Sequence, residues 1–311
     1  MNTTCLFYLE PYKALAERIA SQNGYELGVI ERDTFPDGER YMRIRSSLSH
    51  KHAILLGGSH NEAATMELYD ISCGLIDHGA LSLSIVIPYF GYSTMERSVQ
   101  KGDVVTAKNR ARLFSSIPKA PYGNTIYAVD LHTGGLPHYF EEGVRVFHVY
   151  AKEAVRKGCA LLCSDEFILA STDAGRAKWV ESLANDMGVG AAFVFKKRMS
   201  GSQTKVQAVS ANVQDKDVII YDDMIRTGGS LLGAAKAYQE AGAKNIWTIC
   251  THGVFPSGAI ERLRSSGLIQ KVLCTDSHPN AHKAHEEYPD FVSIISLDSI
   301  LAQALHNEEK T

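Results

Sequence analysis

The segment Val218-Ile-Ile-Tyr-Asp-Asp-Met-Ile-Arg-Thr-Gly-Gly-Ser-Leu231 constrains this chain more than any other. Its β-branched and aromatic start, Val218–Tyr221, predicts a strand. Two carboxylates, Asp222 and Asp223, follow at once. A loop over Asp222–Ser230 then leads into a helix over Leu231–Ala241, which Gly242 stops. Parallel α/β proteins place ligands at the carboxyl ends of their strands. Carboxylates there accept hydrogen bonds from sugar hydroxyls. Thr227, Gly228, Gly229 and Ser230 present backbone N–H groups to a phosphate at a helix N-terminus. The glycines permit positive φ and close backbone approach.

The rest of the chain alternates short β-branched runs with longer helical patterns, the pattern of an α/β protein. Ala53–Leu56 predicts a strand, Gly57-Gly58-Ser59 a loop, 63–78 a helix ended by Gly79, and Leu83–Pro88 the next strand. The same plan recurs at Val218–Tyr221 and ends with a strand at Asn245–Cys250. We therefore expect a duplicated α/β domain, one copy over 1–149 and one over 150–311. Any two βαβ units look alike, and that simpler explanation of the repeat stays open.

The 311 residues carry a formal net charge of −3, so no basic excess points to nucleic acid or to an anionic membrane surface. Phosphate recognition must be local. No run approaches the ~18 apolar residues of a spanning helix, and Met1–Tyr12 does not read as a signal peptide. A cytoplasmic setting with six reduced cysteines is the expectation. Cys159 and Cys163 read as buried thiols. His278, His282 and His285 read as exposed residues of a polar loop near a helix start.

Further segments sharpen the reading. Phe35-Pro-Asp-Gly-Glu39 is a turn before the alternating strand Tyr41–Ile44. Pro88-Tyr-Phe-Gly-Tyr92 precedes Thr106-Ala-Lys108. Val129-Asp-Leu-His132 is a strand ending in an acid and a histidine. Ser171-Thr-Asp-Ala-Gly175 and the basic run Phe195-Lys-Lys-Arg198 follow, then Thr251-His-Gly-Val-Phe255 and Thr275-Asp276. Alone, Pro-Asp-Gly is a turn, a histidine at a strand end is structural, and Lys-Lys-Arg is a solvated turn.

Together and in this order the segments resemble the ribose-phosphate pyrophosphokinases (phosphoribosyl pyrophosphate synthetases). The Val218–Leu231 segment by itself also resembles type I phosphoribosyltransferases. The resemblance implies two tandem type I phosphoribosyltransferase-like domains, each a mostly parallel sheet with helices on both faces. It implies transfer of the β,γ-pyrophosphoryl group of Mg-ATP to the C1 hydroxyl of ribose 5-phosphate, with AMP leaving. On it, Phe35 stacks on adenine, Asp37 and Glu39 bind the exocyclic amine, and Glu96 and Arg97 lie in the ATP segment. Asp222, Asp223, Arg226, Thr227, Gly228, Gly229 and Ser230 hold ribose 5-phosphate. Asp130, His132 and Asp173 serve magnesium. Lys196 and Arg198 are catalytic, on a flexible loop over Met199–Lys205. The hairpin at Phe35 serves a neighbouring subunit, so a homo-oligomer with a shared ATP site is implied.

The chain departs from the family pattern at named points. Thr94-Met95-Glu96 stands where the family usually has Arg-Gln-Asp, so Arg97 or Lys101 must supply that charge. Arg226 stands in place of an acid, and Arg176 in place of a glycine. Arginine accepts no hydrogen bond, but it holds phosphate. A base phosphoribosyltransferase and a non-catalytic, regulatory homologue of the synthetases remain as alternatives.

Overall fold

The computed structural model describes residues 4–163, 166–200 and 203–308, and at 196–200, 203–208 and 307–308 it describes the backbone alone. The chain divides into two compact units, 1–150 with 297–311, and 151–296.

The first unit begins with β1 (Thr4–Tyr8), α1 (Lys13–Asn23) and β2 (Glu26–Leu27). A separate two-stranded ribbon follows, β3 (Ile30–Thr34) antiparallel to β4 (Arg40–Ile44). Then come β5 (His52–Leu56), α2 (Glu62–Asp77), β6 (Ser82–Ile87), α3 (Thr106–Ser115), β7 (Asn124–Val129) and β8 (Arg145–Val149). Six strands form one sheet in the order β2-β1-β5-β6-β7-β8, every pairing parallel. Every residue of β7 is buried, so both faces of this sheet are covered.

Local chemistry explains the boundaries. The Asn61 side chain accepts a hydrogen bond from the Ala64 N–H at 2.8 Å and caps α2. Leu68, Ile71 and Leu75 bury one stripe of that helix. Ser72 is tolerated in the stripe because its hydroxyl donates to the Leu68 carbonyl at 2.7 Å. Gly79, at φ +91°, ends it in a left-handed conformation.

The second unit runs α4 (Lys152–Leu162), β9 (Phe167–Ser171), α5 (Ala177–Met187), β10 (Gly190–Ser200), β11 (Gln203–Val209), β12 (Asp217–Ile225), α6 (Gly229–Glu240), β13 (Asn245–Gly253), α7 (Ala259–Ser265), β14 (Val272–Thr275), α8 (Asn280–Glu287) and β15 (Val292–Ile295). Its sheet has the order β11-β10-β9-β12-β13-β14-β15. Only the edge pair β10–β11 is antiparallel. Both sheets are thus mostly parallel, as expected of an α/β chain.

Several expectations change. The strand at Val218 does not stop at Tyr221: β12 continues to Ile225, pairing Asp222 with Cys250 and Met224 with His252 of β13. Two acids looked like a loop, but the ladder extends through them. The expected loop Met199–Lys205 is largely strand as well, with β10 reaching Ser200 and β11 starting at Gln203. His282 and His285 lie on α8 and His278 is buried, so the expected polar loop is absent from that stretch.

The last helix, α9 (Asp298–Glu308), belongs to the first unit, not to the second half where the sequence placed it. Leu297, Leu301, Ala302 and Leu305 form a buried stripe, and the helix packs on α1. Each leucine contributes about 1.5–3 kcal/mol by burial. Asn23 Nδ2 donates to the Ala302 carbonyl at 2.9 Å, and Arg18 pairs with Asp298 at 3.1 Å. No described helix is long and apolar enough to cross a membrane.

Candidate active site

In the second unit, β9 and β12 are paired neighbours, and their carboxyl ends bring Thr172, Asp173, Asp222 and Asp223 onto one rim of the sheet. Asp222 is partly exposed and Asp223 is buried. The Thr172 hydroxyl donates to Asp222 Oδ2 at 3.1 Å, and the Asp223 N–H donates to Asp222 Oδ1 at 3.0 Å. Burial first, and the Asp223 charge second, push the Asp222 carboxyl from its ordinary 3.8 up to about 8. Asp222 therefore holds its proton more tightly than a free aspartic acid does, and its protonated form both donates and accepts hydrogen bonds.

Asp223 already has a cationic partner. Arg176 Nη2 forms an ion pair with Asp223 Oδ2. Arg176 closes the short turn after β9 and is the N-cap residue of α5. It lies three positions past Asp173, whose Oδ1 accepts from the Gly175 N–H at 2.9 Å.

Beyond β12, Arg226 and Thr227 are exposed and Gly228 turns the chain into α6. Gly228 has φ +77°, and a Cβ there would meet Leu263 Cδ2 at 2.6 Å. Conformation and space both require glycine. No side chain caps α6, so its first N–H groups form an anion-ready end. The loop is held from below. Tyr238 on α6 donates its hydroxyl hydrogen bond to the Ser171 carbonyl at 2.9 Å, which ties α6 to the end of β9. Tyr221 stacks on Trp179, with centroids 4.1 Å apart.

A buried polar network lies on the next strand ends. Thr275 Oγ1 and Ser277 Oγ donate to the Thr251 carbonyl at 2.6 and 2.9 Å, and His252 Nδ1 meets Ser277 Oγ at 2.9 Å. The sequence singled out Thr251–Phe255 and Thr275-Asp276, but not Ser277, which links them. Its only signal was a small polar residue beside a strand end.

The backbone of Lys196 and Arg198 is on β10, pairing with Val206 and Thr204, while Lys197 pairs with Lys205. The ladder is irregular between Phe195 and Lys196. The side chains of Lys196 and Arg198 lie outside the described residues.

The first unit holds the residues assigned to nucleotide. Phe35 is half exposed at the tip of the β3–β4 ribbon, 6.1 Å from the Tyr41 ring. The Phe35 N–H donates to the Glu39 carbonyl at 2.8 Å, and Asp37 accepts from the Glu39 N–H at 3.1 Å. Glu96 and Arg97 approach each other at 3.5 Å, and the Tyr139 hydroxyl donates to the Glu96 carbonyl at 2.6 Å. Lys108 lies over the Tyr139 ring at 5.8 Å. The loops after β5 and β6 are stitched together: the Gly91 N–H donates to Ser59 Oγ at 2.9 Å, and a Cβ at Gly91 would sit 2.1 Å from the Ser59 carbonyl oxygen.

Asp130, at φ +36°, leaves the end of β7 and is buried, with its N–H bonded to the Val149 carbonyl at 3.0 Å. His132 follows on the same turn. Among the described residues no three His, Cys, Asp or Glu side chains form a ready metal cage. The carboxylates of Asp130 and Asp173 offer oxygen donors of the kind magnesium takes alongside substrate phosphates and waters. Cys159 is buried, and its thiol is pushed up to about 12 by burial.

Residues 4–117 match the family model for the N-terminal domain of ribose phosphate pyrophosphokinase, and residues 171–310 match that of the phosphoribosyl synthetase-associated domain. The chain is 30% identical over 301 residues to the ribose-phosphate pyrophosphokinase of Fusobacterium nucleatum subsp. nucleatum, covering 94% of this chain and 90% of the relative. It is 31% identical over 297 residues to ribose-phosphate pyrophosphokinase 1 of Spinacia oleracea, covering 94% and 85%. The crystal structure of phosphoribosylpyrophosphate synthetase from Mycobacterium smegmatis superposes with a TM-score of 0.86 at 24% identity, over 100% and 99% of the two chains, so the fold is shared. By sequence, this chain belongs to the ribose-phosphate pyrophosphokinase family.

Proposed function

We propose that the chain is a ribose-phosphate diphosphokinase, converting Mg-ATP and ribose 5-phosphate to phosphoribosyl pyrophosphate and AMP. The observation that carries this is the rim of β9 and β12, where Asp222 and Asp223 stand one short loop from the uncapped end of α6. Sugar hydroxyls meet the carboxyl groups, and the 5-phosphate meets the N–H groups of Thr227–Ser230, with Arg226 beside them.

The C1 hydroxyl oxygen bonds the β-phosphorus of ATP. The bond from that phosphorus to the α,β-bridging oxygen breaks, AMP leaves with the bridging oxygen, and the hydroxyl proton is lost. Such a transfer depends on alignment and charge neutralisation. Lys196 and Arg198 meet the charge that develops on the transferring group. Phe35 stacks on adenine while Asp37 and Glu39 accept from its exocyclic amine, and Glu96 and Arg97 border the triphosphate. Asp130 and His132 would hold one magnesium and Asp173 a second, and magnesium when bound supplies charge neutralisation at the phosphate oxygens.

The exposed Phe35–Tyr41 tip is suited to serve a neighbouring copy, which makes the working form a homo-oligomer with a shared ATP site. A cytoplasmic setting belongs to the same reading. Incubation with ribose 5-phosphate, ATP and magnesium tests the reading through release of AMP. Asp222→Asn should raise the KM for the sugar phosphate by about 2- to 10-fold, the loss of one hydrogen bond of about 0.5–1.5 kcal/mol. The KM for ATP should stay unchanged.

A further inference from the structure

Arg176 stands in the acceptor site and competes with any acceptor for Asp223. Its guanidinium is ion-paired with that carboxylate, which is 3% exposed, while the arginine side chain is itself only 21% exposed. A sugar hydroxyl that takes Asp223 has to share that carboxylate with the guanidinium. A guanidinium that shares Asp223 with the acceptor would be a partly desolvated cation with a weakened ion pair, which is unfavourable. An acceptor that brings its own anionic group to the guanidinium avoids that cost. A second cation, Arg226, leaves the same strand end three positions after Asp223 and is exposed on the phosphate loop. The uncapped N-terminus of α6 adds a further anion-binding end to that loop.

We propose that Arg176 is a specificity-determining residue that selects an acceptor more anionic than ribose 5-phosphate, a ribose 5-phosphate extended by a further phosphate group. This rests on the pyrophosphoryl-transfer reading above and narrows its acceptor. The step itself is unchanged: the C1 hydroxyl oxygen bonds the β-phosphorus and AMP leaves.

The test compares kcat/KM for ribose 5-diphosphate and ribose 5-phosphate, with Mg-ATP, in the wild type, Arg176→Gly and Arg176→Lys. The lysine variant keeps a cation against buried Asp223 and so guards against a folding defect in the glycine variant. The wild type should favour the diphosphate at least tenfold. Arg176→Gly should cut that preference at least tenfold, and Arg176→Lys, a point charge without the fork geometry, should cut it severalfold. The KM for ATP should stay within twofold in both. A wild type that favours ribose 5-phosphate overturns the proposal, as does a ratio unchanged within twofold in both variants. A shifted KM for ATP with an unshifted ratio also overturns it, because Arg176 would then answer to the nucleotide. In all three of those outcomes AMP is still released, so the reaction reading survives. Release of AMP with neither acceptor overturns both.

Discussion

The guanidinium of Arg176, at the start of α5, is ion-paired with the buried carboxylate of Asp223 near the end of β12. Two groups remote in sequence thereby meet at the carboxyl-end rim of the second sheet. Burial and then the Asp223 charge oppose ionisation of the neighbouring Asp222, so its carboxyl is raised.

Asp222 makes stability depend on pH. Its carboxyl is raised from 3.8 to about 8 in the folded state. Between about pH 4 and pH 8 the folded chain thus holds a proton that the unfolded chain has released. The stabilisation linked to that proton is full below about pH 4 and is lost as pH rises through about 8. Urea unfolding at a series of pH values should show the wild type losing stability relative to Asp222→Asn by up to about 1.4 kcal/mol per pH unit. Equal slopes for the two proteins would refute the assignment.

Much of this arrangement is legible in the sequence, and the failures share a cause. Val218–Tyr221 followed by two acids announces a strand and a ligand end, and Gly79 and Gly242 announce helix stops. The continuation of β12 to Ile225 is hidden because acids and an arginine weaken the strand signal, whereas pairing with β13 overrides local preference. The Arg176–Asp223 pair and the Ser59–Gly91 stitch each join strand ends that only the sheet order makes neighbours. Position in the chain alone puts 298–308 with the second half, and nothing local states that the leucine stripe of α9 packs against α1.

Phe35→Ala should raise the KM for ATP and leave the acceptor KM alone. A base stacked on an aromatic ring is worth about 1–3 kcal/mol, or about 5- to 150-fold. Phe35 is 49% exposed, so the variant should melt like the wild type. Normal ATP kinetics would reduce the ribbon tip to a turn.

Gly228→Ala should damage both stability and acceptor binding. The left-handed conformation costs about 1–2 kcal/mol for a residue with a Cβ, and that Cβ would press on Leu263 at 2.6 Å. Gly229→Ala is the control, since its Cβ would meet only Thr227 Oγ1 at 3.9 Å. Thermal melts and acceptor KM values should separate the two variants clearly; equal behaviour would show that the loop adapts.

Lys196→Ala and Arg198→Ala should each lower kcat by about two to three orders of magnitude, with KM values changed far less. Removing one preorganised donor costs about 2.7–4 kcal/mol, and a group that meets charge only during transfer acts on turnover. Lys197→Ala, one position along the same strand β10, should be mild. Steady-state kinetics on the three variants decide between a catalytic run and a solvated one.

The central claim is transfer of a pyrophosphoryl group, and the fate of the β-phosphorus tests it most directly. The enzyme is incubated with magnesium, ribose 5-phosphate and ATP labelled at the β-phosphorus, and the products are resolved. The account predicts AMP and labelled phosphoribosyl pyrophosphate in equal amounts, with all of the transferred label on the sugar. Label retained in ADP, with a single phosphate moved to the sugar, would contradict it.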